Sequence, residues 1–288
     1  MRKLIFLLLS LALLSGCITL QQTLFTSTKV PQESTSGYIS QEIIFPKEGD
    51  QLQSSLPFHP TVRLTNSGPF ESDGQVCISG LDSSAFRGFS GCECNTFNMQ
   101  KEERTFLPEN VDFGAYSILN EEPQDYTITS ITRYKYKSVA KVKMCVKDNA
   151  DEMALCSSEL LSTKDGPLRI TSVEQASVPI SDSEVALSFS INVEKRAEGD
   201  VWDVNAVQER CRPEREIRRN VRVKINGLPF GSGQCGEKLF DKDEANIKCP
   251  IGEISLEGRS FGENYNPEIE VELDYAFETR ASNRFSVQ

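Results

Sequence analysis

Two stretches of the chain alternate so strictly that only an extended backbone suits them. In Val185-Ala-Leu-Ser-Phe-Ser-Ile-Asn-Val193 and Ile269-Glu-Val-Glu-Leu-Asp-Tyr-Ala-Phe277, five apolar residues fall at two-residue spacing. A strand turns successive side chains to opposite faces, so each run has one face for a core and one for water; a helix would scatter the same residues around its circumference. The wet positions Glu270, Glu272 and Asp274 of the second run also discourage pairing with a stray edge. Val221-Arg-Val-Lys-Ile225 repeats the pattern and runs into Asn226-Gly227, a tight-turn pair. Residues 61–65, 75–80, 126–132 and 137–146 are further strand candidates, separated by Gly, Pro, Asn and Asp. No window of helical period rivals these. Many strands, turn-rich loops and no alternating helices predict an all-β chain of antiparallel sandwiches rather than a parallel α/β sheet.

Residues 162–167, Ser-Thr-Lys-Asp-Gly-Pro, have a linker composition and divide the chain into domains at 54–161 and 167–288. Residues 17–53 are polar and read as a tether, with 41–45 as a possible edge strand. His59-Pro-Thr-Val-Arg-Leu-Thr-Asn-Ser-Gly68 followed by Gln75-Val-Cys-Ile-Ser-Gly80 resembles the opening strands of the Ig-like repeats of bacterial and archaeal surface proteins. That resemblance is confined to residues 59–80; it implies two tandem Ig-like β-sandwiches and no particular activity. The Cys, Trp, Cys spacing of antibody domains is missing, since Trp202 is the one Trp.

The N-terminus carries the features of an exported chain. Met1-Arg2-Lys3 precedes thirteen uncharged, mostly apolar residues, 4–16, the pattern of a secretory signal. Such a run is too short to span a bilayer core, which needs roughly 20 apolar helical residues. Leu14-Ser15-Gly16-Cys17 resembles the lipobox of bacterial and archaeal lipoproteins. The resemblance implies cleavage before Cys17 and a lipid on it, hence anchoring at the extracytoplasmic face of a cell membrane. The net charge is −11, and removing Arg2 and Lys3 with the leader makes it two units more negative. An acidic surface of this kind repels nucleic acid, so no nucleic-acid partner is expected.

Little in the chain suggests chemistry, and neither catalysis, a cofactor nor a metal is expected. The single His, His59, stands beside Pro60 at a strand start and reads as structural. Gly88-Phe-Ser-Gly91-Cys92 is no nucleophile elbow, because Cys92 replaces its last Gly; Ser138-Val-Ala-Lys141 matches Ser-x-x-Lys without the companion motifs. Asp241-Lys-Asp243-Glu244 and Asp148-Asn-Ala-Asp151-Glu152 could share oxygens with calcium but fail the EF-hand pattern, and solvated acidic turns are favoured. Residues 209–219 concentrate Arg210, Arg212, Arg215, Arg218 and Arg219 among three Glu. An internally paired loop is the plain reading, and contact with an anionic cell-wall polymer or lipid phosphate the functional one. Trp202 shares a face with Val204, which suggests core packing over glycan stacking.

Eight cysteines besides Cys17 read as disulfides in an exported chain, whereas a metal site at Cys77 with Cys92-Glu93-Cys94 is disfavoured on an oxidising side. Favoured pairs are Cys145–Cys156, Cys235–Cys249 across a hairpin-like loop, Cys77 with Cys92 or Cys94, and Cys211 with the other. Parity matters here: five cysteines fall in 54–161 and three in 167–288, so that boundary requires a bridge between domains. The expected role is a lipid-anchored structural, adhesive or envelope-assembly protein with a protein or envelope-polymer partner. A glycan- or ligand-binding module ranks second and an enzyme third. Residues 81–99 and 204–220 are the loops expected to meet a partner.

Overall fold

The computed structural model describes residues 34–36, 38–54, 56–100, 109–119, 123–207, 219–230, 233–240, 242–258 and 265–288. The leader, Cys17, Arg210, Cys211, Arg212, Arg215, Arg218 and Asp241 lie outside these residues. In chain order the strands are β1 (Ser34–Ser36), β2 (Ile39–Phe45), β3 (Gln51–Leu52), β4 (Thr61–Asn66), β5 (Ser72–Ser79) and β6 (Phe86–Arg87). They continue with β7 (Cys92–Met99), β8 (Glu109–Asp112), β9 (Ser117–Ile118), β10 (Gln124–Lys143), β11 (Glu159–Asp165) and β12 (Leu168–Ser181). The last are β13 (Glu184–Lys195), β14 (Asp200–Trp202), β15 (Asn220–Asn226), β16 (Gly233–Leu239), β17 (Glu244–Ser255) and β18 (Glu268–Val287). Among the described residues helix is confined to α1 (Ala150–Ala154) and a 3-10 turn at Val204–Ala206, and none of it is long and apolar enough to cross a membrane. The fold is an all-β sandwich.

Two strands of 20 residues organise the rest. β10 and β18 pair antiparallel along their full length, from Gln124 opposite Val287 to Lys143 opposite Glu268. In one half of this sheet β10 also pairs β5, which pairs β7; in the other half β10 pairs β11, while β18 pairs β15 and β15 pairs β16. Two three-stranded sheets, β2-β4-β8 and β12-β13-β17, form the second layer. The side chain of Gln41 on β2 accepts hydrogen bonds from Ser130 (2.9 Å) and Thr132 (2.5 Å), and Ser138 donates to the Leu168 carbonyl at the start of β12 (2.5 Å). Ser130, Thr132 and Ser138 are even-numbered positions of one strand, so both small sheets lie against the same front face of the long one.

The core lies between the layers. Tyr126, Tyr134, Tyr136 and Val142 on β10 face Phe285, Phe277, Tyr275 and Ile269 across the ladder, and all are buried. Val185, Leu187, Phe189, Ile191 and Val193 bring the alternation of β13 into the same core, each burial stabilising by about 1.5–3 kcal/mol. Phe58 closes one end, edge-on to Phe86 and Tyr116 with centroids at 5.8 Å.

The expected division at 162–167 is corrected. Glu33–Gln288 form one compact unit, and residues 162–167 end β11 and turn a packed corner. A Cβ on Gly166 would meet Tyr136 Cδ1 at 2.3 Å, which is no place for a loose linker. The physical reason is that residues 126–132 and 137–146, read as separate strands, belong largely to one strand serving both halves of the sandwich. Each half therefore needs a strand from the other side of the expected boundary. The tether also ends earlier than expected, because Ile39 and Ile43 are buried and β2 pairs β4.

Candidate functional site

The back face of the long sheet, turned away from the second layer, carries the groups of most chemical interest. Register places Gln75, Arg133, Glu278 and Asp200 in one row across β5, β10, β18 and β14, with Cys77, Ile131 and Arg280 in a parallel row. Gln75, Cys77, Ile131, Arg133, Ala276 and Glu278 are buried even though they point away from the core layer. At the centre Arg133 Nε donates to Glu278 Oε2 at 2.5 Å, with both side chains no more than 2 % exposed. Arg280 supplies a second guanidinium to Glu278 Oε1, at 2.8 Å from Nε and 2.7 Å from Nη2. Further along the same face the surface is a lattice of ion pairs, in which Lys224 binds Glu272 and Asp274, and Lys137 binds Glu272. The hydrogen bonds that Lys224 donates to Asp274 and then to Glu272 raise its pKa above the usual ammonium range.

Trp202 belongs to this face, and its expected partnership with Val204 is corrected. The strand ends at Trp202 and a 3-10 turn begins at Val204, so Val201 enters the core opposite Phe277 while Trp202 lies opposite Ala276. Trp202 Nε1 is buried with no hydrogen-bond partner among the described residues. Arg219, the described member of the Arg-rich run, sits 4.0 Å from Asp200. With Lys195, Lys242 and Asp243 it lines a cavity of about 160 Å³.

Sulfur chemistry gathers at the other edge of the face. Cys77 on β5 is opposite Cys94 on β7, and the two are bonded with S–S 2.04 Å. Cys92, two residues along the same strand, projects to the same side; its Sγ is 3.9 Å from that of Cys94. Cys92 is also disulfide-bonded, and its partner is none of the other described cysteines, which pair among themselves. All three sulfurs lie within 4.8 Å of one another, but as disulfides they present no thiolate to a metal. Between them Glu93 faces the front and accepts the Tyr116 hydroxyl at 2.5 Å. Burial first, and then this carboxylate, push the Tyr116 phenol far above its usual range. Residues 81–99 are thus not one loop, since they contain β6 and β7.

The remaining sulfurs close the other half. Cys145 and Cys156 join the end of β10 to the segment leading into β11. Cys235 and Cys249 link β16 to β17, two strands of different sheets, where a hairpin-like loop was expected.

Other sequence candidates have structural explanations. Ser138 is fully buried; its hydroxyl donates to Leu168 O and lies 3.0 Å from the Tyr275 hydroxyl, itself bonded by Leu168 N–H at 3.1 Å. No substrate reaches it. His59 is exposed beside the buried Pro60. Asn149 caps α1 by accepting from Glu152 N–H at 2.8 Å, and Asp151 and Glu152 in the first turn suit the positive end of the helix. Asp243 pairs with Lys195 at 2.7 Å. Sequence reasoning missed the Arg133–Glu278 pair; the one available signal was a glutamate directly after the five-position apolar face of β18.

A cleft of about 690 Å³ opens beside the Cys145–Cys156 bond, lined by Lys143, Lys147, Leu155 and Asn266 among others. No family model and no curated protein matches the chain. Among solved structures, red sea bream transglutaminase aligns at 8 % identity and a TM-score of 0.22, covering 87 % of this chain and 31 % of that one, a likeness too slight to bear on fold or activity.

Proposed function

We propose that this chain is a lipid-anchored cell-surface protein with a structural, adhesive or envelope-assembly role, held at the extracytoplasmic face of a membrane through Cys17 and carrying out no catalysis. The observation that supports this most is the unbroken ladder of β10 and β18. At about 3.3 Å per residue its contour is about 65 Å. Because both halves of the sandwich share these strands, they cannot separate without breaking the ladder, which suits a part that carries load or spaces a partner from the membrane. The lipobox-like residues 14–17 supply the anchor in this reading, and the accessible edge of the back face, at the half-buried Trp202 and the exposed Arg219, is where an envelope protein or polymer would meet it. Crosslinking on intact cells tests the role. A defined envelope partner should be captured and then lost from the Trp202→Ala and Arg219→Glu variants, whereas turnover of a peptidoglycan, peptide or ester substrate by the purified protein would refute it.

Anchoring has its own test. Cys17→Ser should abolish lipid-derived mass at the N-terminus and shift the protein to the aqueous phase on detergent partitioning. An unchanged partition would rule out the anchor. A second reading, a ligand-binding module, is favoured by the cleft beside Cys145–Cys156, over which Leu155 is 88 % exposed. Chemical-shift changes confined to Leu155 and Lys147 on adding envelope glycans would support it over the first.

A further inference from the structure

We infer that Cys145 and Cys156 form a reversible dithiol–disulfide couple, in which an external dithiol attacks Cys156 and Cys145 is the sulfur released. Cys77 and Cys249 are fully buried in their bonds to Cys94 and Cys235, whereas Cys145 and Cys156 are both partly exposed and line the cleft of about 690 Å³. Leu155 and Ser157 on either side of Cys156 are exposed, which leaves the approach to its sulfur open. Charge divides the two cysteines. Burial alternates along residues 143–147, so Met144 and Val146 enter the core while Lys143, Cys145 and Lys147 share the cleft side. Glu152 and Glu159, the carboxylates of the cleft, flank Cys156 in the chain. Neighbouring ammonium groups favour a thiolate, and the sulfur that forms the better thiolate leaves faster, so Cys145 is the leaving group.

The fold holds each cysteine without help from the bond. Gln175 grips the Cys145 backbone, accepting from its N–H at 3.2 Å and donating to its carbonyl at 2.9 Å. Cys156 N–H donates to the carbonyl of buried Met153 at 3.2 Å, and the Ser158 hydroxyl donates to Val173 O at 2.6 Å. Cleavage therefore leaves two thiols held near each other and ready to close again. One thiolate of the dithiol bonds to Cys156 Sγ as the Cys145–Cys156 bond breaks, and Cys145 takes a proton from water. The second thiol, as thiolate, then attacks the sulfur of the first and releases Cys156, so the dithiol becomes a disulfide and its two electrons pass to the cysteines. A disulfide oxidant reverses the sequence.

The test uses the full oxidised chain, quenched in acid at early times, alkylated and mapped by mass spectrometry. With limiting dithiothreitol, Cys145 and Cys156 should be alkylated at least about tenfold sooner than the cysteines of Cys77–Cys94 and Cys235–Cys249, because access to the sulfurs governs the exchange rate. The far-UV circular dichroism should stay native, and oxidised glutathione should restore the bond. With 2-mercaptoethanol the first adduct should sit on Cys156 and leave Cys145 free. Lys143→Gln combined with Lys147→Gln should slow opening about threefold, since Cys145 then leaves as a less stable thiolate. Equal or faster opening of either other bond, a first adduct on Cys145, loss of the native spectrum on reduction, or an unchanged rate in the folded Lys variant would each overturn the inference. Should that variant not fold, the position of the adduct in the wild type decides alone.

Discussion

Arg133 and Glu278 are buried on the face of the sheet where the sequence alternation calls for water, and that placement makes them a sensitive pair. Removing one partner of a buried pair costs about 3–5 kcal/mol, a loss that Arg280 on Glu278 Oε1 offsets in part here, whereas apolar replacement of both is often neutral. Arg133→Met should therefore lower unfolding stability strongly, and Arg133→Met with Glu278→Leu should recover most of the loss in urea titrations. A double variant no better than the single one would show that the pair is needed for packing. Asp165 makes the opposite case. Burial raises its pKa despite the Thr163 hydroxyl and nearby Arg169 working against it. A carboxyl whose pKa is higher in the folded state favours the fold when protonated, so its contribution is present at acid pH and falls as pH rises from the ordinary carboxylate range to the raised value. Asp165→Asn should thus match or exceed the wild type at neutral pH, with the gap closing on acidification; a gap that widens in acid would contradict the assigned shift. Neither residue stands out in the sequence, because an Arg or Asp in a polar-looking position is read as solvated until strand register brings its neighbours.

At the scale of elements, disulfides join what hydrogen bonds leave open. β16 pairs β15 in one sheet and β17 pairs β13 in the other, so Cys235–Cys249 is a covalent tie between layers. Replacing both cysteines with Ala should cost about 3 kcal/mol by the chain-entropy argument for a loop of this length. Differential scanning calorimetry would show the loss, and an unchanged midpoint would mean that packing alone holds β16 in place. Close approach matters equally at Gly199, which has φ +145° and whose Cβ would lie 2.2 Å from the Glu278 carbonyl. Gly199→Ala should displace β14 from β18, and the Val201 and Trp202 amides should lose hydrogen-exchange protection. The strands themselves were legible, since 185–193, 221–225 and 269–277 all lie within strands of the structure. The lengths of the two central strands were not, because Ser130 and Thr132 interrupt the apolar face of β10, where they donate to Gln41 of the second layer, and Thr279 interrupts that of β18 opposite Thr132.

For the whole molecule, the shared ladder predicts cooperative behaviour. Residues 33–288 should unfold in a single transition by circular dichroism and fluorescence alike. A fragment of residues 167–288 lacks β10, the partner of β18 along all 20 residues, and should remain unfolded by amide chemical-shift dispersion. A well-dispersed fragment would restore the division into two domains. Sequence alone determined that the chain is all-β, because alternation at a period of two is a local property of the backbone and its side chains. The same kind of local reading set the adjacency of Cys145 and Cys156, which are eleven residues apart. Tertiary structure alone decided that two apparent sandwiches are one. It also buried Arg133 on Glu278 and gathered the sulfurs of Cys77, Cys92 and Cys94 within 4.8 Å of one another. Such outcomes depend on which distant strands pair and in what register, and a register connecting residues as far apart as Gln124 and Val287 is set by the energy of the whole core, not by any window of sequence.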